Sequence, residues 1–354
     1  MKIKPVSGPH TQAKSHVAGI MLQVVLALLP ATVFGLYLFG WPAINVFFVT
    51  VVSALLFEYF CLRLAGKPVA ILKDGSALLS GWLIAMTLPP WAPWWIGVVG
   101  SGLAIVLAKQ VYGGLGQNVF NPAMLARVAL LISFPVEMTT WANVTPLLSE
   151  QAPDFITGLQ ITFAGLQQMD AYTGATVLGH VKTELSQNHF LPDSLTAVYL
   201  EKDAWLGFMR GSLGETSALL LALGGVWLLF RGVISWHIPF AMLFSVGIVS
   251  AVFHWWNPAQ YLSPWIHASS GALVCAAFFI TTDYVTSPNS VVGQLLFGMS
   301  CGVLIFIIRT WGAYPEGAGF AVLLMNAMTP LIDHYIKPRI YGRNRKGVAL
   351  ELKE

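Results

Sequence analysis

Apolar runs separated by short polar breaks fill most of this chain. Ten of them approach the roughly 17–25 residues that carry a helix across a bilayer: 19–40, 43–63, 74–90, 94–112, 121–138, 214–231, 238–256, 267–282, 291–309 and 316–336. The runs 74–90 and 267–282 are short. Several runs contain Gly or Pro, which a membrane tolerates where neighbouring helices satisfy the freed backbone groups. One long hydrophilic stretch, 139–213, separates five runs from five. The pattern predicts an all-α integral membrane protein of about ten transmembrane helices. It divides into an N-terminal segment 1–18, a first five-helix half 19–138, the polar segment 139–213, a second five-helix half 214–336 and a basic tail 337–354. The opening residues stay polar for too long to form a secretory leader, and the first apolar run is long enough to span and remain.

Composition sharpens this reading. Hydrophobic residues make up 56% of the chain and charged residues 10%, with a mean hydropathy of +0.69. A soluble domain carries about 25% charged residues, so lipid must be the solvent for much of this surface. The basic residues set the orientation. With the N-terminus inside, Lys2, Lys4, Lys14, Arg63, Lys67, Lys73, Lys109, Arg231 and the basic tail all lie on the cytoplasmic side. Only Lys182, Lys202, Arg210 and Arg309 lie outside, as the positive-inside rule requires. Both termini are then cytoplasmic and 139–213 is one long periplasmic loop. The tryptophans of WAPWW (91–95), HWW (254–256) and Trp265 fall at the outer interface, where belt residues sit.

The two halves resemble each other. GSALLSGWLIAMTLPP (75–90) and SGALVCAAFFITTDYV (270–285) both open a short span with small residues and end at a polar or Pro break. Each is followed by a full-length run ending in a basic residue and a Gly-rich turn, Lys109 with VYGGLGQ and Arg309 with TWGAYPEG. Copies five helices apart enter the membrane in opposite senses, so the expectation is two inverted five-helix repeats with binding sites at their interface. Recurrence of Gly-Ala-Leu runs through composition alone is the plainer alternative.

Three polar segments can carry chemistry. YGGLGQNVFNPA (112–123) places Asn118 and Asn121 beside lipid, where they are costly unless held by a partner or ligand. TTDYVTSPNS (281–290) flanks Asp283 with hydroxyls, which suits either a ligand or a capped helix end. DAYTGATVLGH (170–180) holds Thr173, Gly174, Ala175 and Thr176, with Asp170 ahead of them, and its small residues let something bulky approach a hydroxyl. A Gly-Ala-Thr tripeptide alone is a weak signal. Intramembrane acids are candidates for an ion path: Glu58, Asp333 and Glu215. Glu58 lies near a cytoplasmic end, where a side chain can instead reach the interface, and Glu215 can instead cap a helix N-terminus. Arg127, two turns into its span, is expected to stretch back toward the cytoplasmic side. The eight histidines show no metal-ligand spacing. Cys61, Cys275 and Cys301 form no C-x-x-C pair and no disulfide framework. The chain carries no NAD fingerprint and no iron–sulfur cysteine pattern.

The motifs together resemble a known family. DAYTGAT is similar to the D-x-x-(S/T)-G-A-T motif at which FMN is attached through its phosphate to threonine. YGGLGQNVFNPA, TTDYVTS, GSLGETSALLLALGG (211–225), WHIP (236–239) and YPEGAGFAVLLMNAMTPLID (314–333) resemble, in order, signature stretches of the RnfD family, a membrane component of the Rnf electron transport complex. That family is related to the NqrB component of the sodium-translocating NADH:quinone reductase. The resemblance implies a flavoprotein of the bacterial inner membrane within an ion-pumping complex linking ferredoxin and NAD. It implies covalent FMN on Thr176, with Thr173 unmodified, and a second, non-covalent flavin, riboflavin, near Asn118, Asn121 and Asp283. It also implies a role for Asp333 in cation movement, coupled to Na+ or H+. The other Rnf subunits, a flavin transferase during maturation and the lipid bilayer are the implied partners, and nucleic acid is not among them. Val119 and Tyr284 stand where the family pattern has prolines. An inverted-repeat solute transporter or channel without redox activity would share the architecture but has no use for a tethered flavin.

Overall fold

The computed structural model describes residues 16–165, 173–187, 191 and 199–337. Asp170 and the tail beyond Lys337 lie outside the described residues. The protein is built mainly of apolar helices, and their lengths explain its shape.

Helix α1 (Val17–Leu64) holds 48 residues, about twice what one crossing needs, and its helical geometry breaks at Gly40, where φ is 71°. That conformation is open to glycine because it lacks a Cβ. The break reverses the chain. Trp82 Nε1 donates to Thr32 Oγ1 at 2.9 Å, and the same indole packs edge-on against Phe47 at 4.9 Å. Fifteen residues of straight helix would separate those contacts by about 22 Å. The expected runs 19–40 and 43–63 are therefore the two arms of a hairpin, with helix α2 (Ser76–Thr87) against both.

Helix α3 (Trp94–Gly102) continues as a wider π-helical stretch, Leu103–Gln110, which ends at the Gly-rich turn. Helix α4 (Pro122–Ser133) starts at the Asn121 cap with proline in the first turn, where its missing N–H costs nothing. It stops before Pro135, since the residue ahead of a proline is pushed away from helical geometry. The run 121–138 is thus split, with a short helix over Pro135–Thr139.

The polar segment 139–213 is not wholly hydrophilic. It contains an apolar helix, α5 (Phe155–Leu159), extended through Gln160–Ala164, which packs on the α1 turn. A Cβ on Gly158 would stand 2.7 Å from that of Trp41, so only glycine allows this approach. A short antiparallel pair, β1 (Trp141–Ala142) and β2 (Thr173–Gly174), ties the segment together in the register Trp141 to Gly174 and Ala142 to Thr173. Helix α6 (Val177–Ser186) follows, anchored by Leu178 and Val181 in a small cluster with Leu191, Leu262 and Ile266.

The second half contains α7 (Ala218–Phe230), α8 (His237–Trp256), α9 (Leu273–Cys275, continued by the π-helical Ala276–Ile280), α10 (Val291–Trp311) and α11 (Ala318–Tyr335). The run 267–282 is a broken helix: the chain leaves helix after Ser269 and passes Gly271 at φ 71° before re-entering. Among the described residues, α1, α8 and α10 are each long and apolar enough to cross a membrane, and five further apolar helices are shorter. One hydrophobic core runs through both halves, from Ala27 and Leu28 to Val322 and Ile332.

Each half contains a buried basic residue that closes on the start of its own short helix. Lys109 Nζ donates to Ser76 Oγ at 2.7 Å and pairs with Glu58 at 2.9 Å. Arg309 donates to the carbonyls of His267 at 2.9 Å and Ser270 at 3.0 Å, with Glu316 at 3.8 Å.

Candidate functional site

Two cavities lie toward opposite ends of α4. At its C-terminal end, Thr176 is the N-cap of α6. Its Oγ1 accepts from Gly179 N at 3.1 Å, and its side chain is 5% exposed. The hydroxyl thereby satisfies one of the amides left free at a helix start. Thr176 and Ala175 line a cavity of about 400 Å3, within the roughly 300–1,000 Å3 of ligand pockets. A Cβ on Gly179 would lie 3.2 Å from Thr176 Oγ1, so the glycine keeps the space beside the hydroxyl open.

Arg127, Lys182 and Glu316 supply the charges in this cavity, and Leu131, Met138 and Trp141 its apolar wall. Lys182 projects from α6 and donates to the carbonyl of Tyr314 at 3.1 Å, with those of Arg309 and Ile308 at 3.4 and 3.5 Å. Burial lowers its pKa from the ordinary lysine value. Arg127 does not stretch back toward the start of α4 as expected. It is buried, with its guanidinium 5.7 Å from the Trp141 ring centre, because its position on α4 faces this cavity and not the helix start.

At the other end of α4, a smaller cavity of about 80 Å3 brings together Asn118, Asn121 and Asp283, which are far apart in the sequence. Asn121 is the α4 cap, accepting from Ala123 N at 3.1 Å and Met124 N at 3.2 Å, and it donates to Ile280 O at 3.4 Å. Its own N–H donates to Asn326 Oδ1 at 3.0 Å, and Asn326 donates onward to Thr286 O at 3.1 Å. Asn118 Nδ2 donates to Phe120 O at 3.1 Å. Asp283 accepts from Thr286 Oγ1 at 3.1 Å and Val285 N at 3.4 Å, which holds the TTDYVTS turn closed. Tyr284 also lines this cavity, and its hydroxyl donates to the carbonyl of Val233, a bridge that proline in its place would lack. Val119 is exposed.

The intramembrane acids sort differently. Glu58 does not reach the interface. It is 1% exposed and bound to Lys109, whose side chain lines the smaller cavity. Glu215 lies in the turn before α7 and accepts from Ser212 Oγ at 2.7 Å, while Ser217 caps the helix itself. Glu215 shares a third, small cavity with Arg127 and Glu316. Asp333 accepts from Asn289 N at 3.1 Å and Nδ2 at 3.0 Å, pinning the 288–290 loop, and lines none of these three cavities. Thr173 and Gly174 form β2. Sequence reasoning had no signal for Trp141 or Lys182, whose place in the site depends on a two-residue strand pairing and on the packing of α6.

The fold defines a multi-pass helical membrane protein with a cavity lined in part by polar side chains toward each end of α4. The chain belongs to the NQR2, RnfD, RnfE family, whose sequence model matches residues 5–342. It is 53% identical over 346 residues to the D-subunit of the ion-translocating oxidoreductase complex of Halorhodospira halophila, covering 98% of this chain and 97% of that one. It is 55% identical over 337 residues to the same-named protein of Stutzerimonas stutzeri, covering 95% of each. The corresponding Rhodobacter capsulatus protein is 50% identical over 316 residues, covering 89% of this chain and 87% of that one.

Proposed function

We propose that this chain is the membrane flavoprotein subunit of an ion-translocating ferredoxin:NAD oxidoreductase complex. It carries FMN as a phosphoester of Thr176 and, at Asn118, Asn121 and Asp283, a second, non-covalent flavin, riboflavin. The observation that carries the reading is the Thr176 hydroxyl, set at the N-terminus of α6 and facing a cavity large enough for a ligand. A phosphate esterified there stands against the free amides and the positive end of the helix. Lys182 in the same cavity adds positive charge. The threonine is an anchor. When bound, an isoalloxazine ring supplies the redox chemistry, and the chain supplies position and electrostatics.

The second site suits a flavin without phosphate, because amides and a turn-held carboxylate face it and its lysine is already paired with Glu58. Its volume is below the pocket range, so seating a ring there requires its walls to part.

Ten crossings in two inverted repeats, cytoplasmic termini and a periplasmic Thr176 complete the proposal. The matching closures of Lys109 and Arg309 on the two short helices support the repeat. The remaining subunits of the complex and a flavin transferase are the proposed partners, and the complex couples electron flow to Na+ or H+ movement.

The test is in-gel fluorescence and intact mass of the purified chain co-expressed with a flavin transferase, beside Thr176→Ala and Thr173→Ala. The expected result is one FMN-sized mass increase and a fluorescent denatured band, lost in Thr176→Ala and kept in Thr173→Ala. A wild-type chain without adduct in the presence of active transferase would overturn the proposal and favour a transporter without redox activity.

A further inference from the structure

Arg127 has no assigned role, and its surroundings give it one. Its side chain is 8% exposed, yet Nη1 is buried without a hydrogen-bond partner. Leaving a charged donor unpaired away from water is costly, so a site that keeps one is built to receive an acceptor. The other cation of the Thr176 cavity is occupied, since Lys182 is spent on backbone carbonyls. Two acids lie near Arg127: Glu316 has Arg309 beside it at 3.8 Å, and Glu215 accepts from Ser212, and neither hydrogen-bonds Nη1 of Arg127. Among the described residues lining this cavity, Arg127 is the cation that retains an unused buried donor.

Its position is tied to the flavin motif. The guanidinium lies over Trp141, and Trp141 pairs in register with Gly174, two residues before Thr176. Arg127 and the anchor hydroxyl are thus fixed to one another through a strand pair and an aromatic platform. The amide end of α6 is at Thr176 itself and takes the phosphate, which leaves Arg127, on the separate helix α4, for the far end of the ligand. Leu131 and Met138 beside it offer an apolar wall for a flat ring.

We propose that Arg127 binds the pyrimidine edge of the isoalloxazine ring tethered at Thr176, with its planar fork directed at N1 and the C2 carbonyl, and that its charge favours the reduced ring. This rests on the covalent-flavin reading above. Reduction makes that edge richer in electrons, so a fixed cation beside it raises the midpoint potential. A lysine keeps the charge but not the planar, bidentate geometry.

The experiment is a spectroelectrochemical titration of the full flavinylated chain, wild type beside Arg127→Gln and Arg127→Lys, with adduct yield measured by mass. Poised at the wild-type midpoint, Arg127→Gln is expected to shift the oxidised-to-reduced ratio about tenfold toward oxidised, which is about 30 mV for a two-electron couple. Arg127→Lys is expected to shift it about threefold in the same direction, the loss of the fork alone. Adduct yield stays at the wild-type level in both. A fully flavinylated Arg127→Gln chain with an unchanged midpoint overturns the proposal. If the Gln variant does not fold, an unchanged midpoint in Arg127→Lys overturns it instead. A wild-type chain without adduct overturns both this inference and the reading beneath it, and is told apart because the failure precedes any substitution.

Discussion

Asn121 shows how much one side chain does at the smaller cavity. It caps α4, and its backbone amide and side chain reach Asn326 and Ile280 of the second half. Losing a cap costs about 0.5–2 kcal/mol, and here the Ile280 carbonyl also loses a donor. Asn121→Ala is expected to lower the thermal midpoint in detergent, measured as the loss of monodisperse protein on heating. Asn121→Asp, which keeps the capping oxygen, should recover part of the loss; equal damage in both variants would argue against the cap. Asn121 stood out in NVFNPA as a polar group beside lipid that needs a partner, but that its partners are the α4 amides and the second half was not legible there. Arg127 was misread for a related reason. Its depth along the helix was clear, but which cavity it faces depends on the position of Trp141, and no local pattern encodes that.

At the level of elements, apolar run lengths located the helices but not all of their breaks. The break at Gly40 falls at the expected boundary between 19–40 and 43–63, whereas Phe134 and Gly271 end helices inside runs that hydropathy alone treats as continuous. The helix at 155–164 was missed because its short apolar stretch sits in polar surroundings and lies on the α1 turn instead of forming a long run. The buried Lys109–Glu58 pair was also hidden, since a carboxylate near a helix end reads equally well as a group reaching for water. Removing one partner of a buried ion pair costs about 3–5 kcal/mol, because the other charge stays behind. Lys109→Met is therefore expected to destabilise the chain strongly in the same heating assay. The double substitution Lys109→Met with Glu58→Met should recover most of that loss, and an additive double variant would show that the pair is not coupled. Helices α8 and α10 meet through small residues: a Cβ on Gly302 would stand 2.5 Å from the carbonyl of Met242. Close approach of this kind is how helices associate where lipid removes the hydrophobic drive. Gly302→Leu should separate them and lower the yield of folded protein on size-exclusion chromatography, while Gly302→Ala should have a smaller effect.

For the whole molecule, the distribution of lysine and arginine made the proposed orientation legible, and the two cavities give it a direct test. Gln117 borders the Asn118 turn and Glu150 lies in the segment that carries Thr176, and both are exposed. In a chain whose three native cysteines are replaced, Glu150→Cys is expected to react with an impermeant maleimide on intact spheroplasts. Gln117→Cys should react only after the membrane is opened, and the reverse pattern would invert the topology.

The closures made by Lys109 and Arg309 have a consequence for how the protein is made. Everything Lys109 needs, Glu58 and Ser76, has already been synthesised when Lys109 leaves the ribosome. The buried charge of the first half can therefore be neutralised before any of the second half exists, and a chain emerging from its N-terminus tends to fold in that order. Arg309 likewise meets His267 and Ser270 just behind it and waits only seven residues for Glu316. Asn121 must wait for Asn326. Each half closes on its own schedule, and the asparagine pair is among the contacts that must form after both halves have been made.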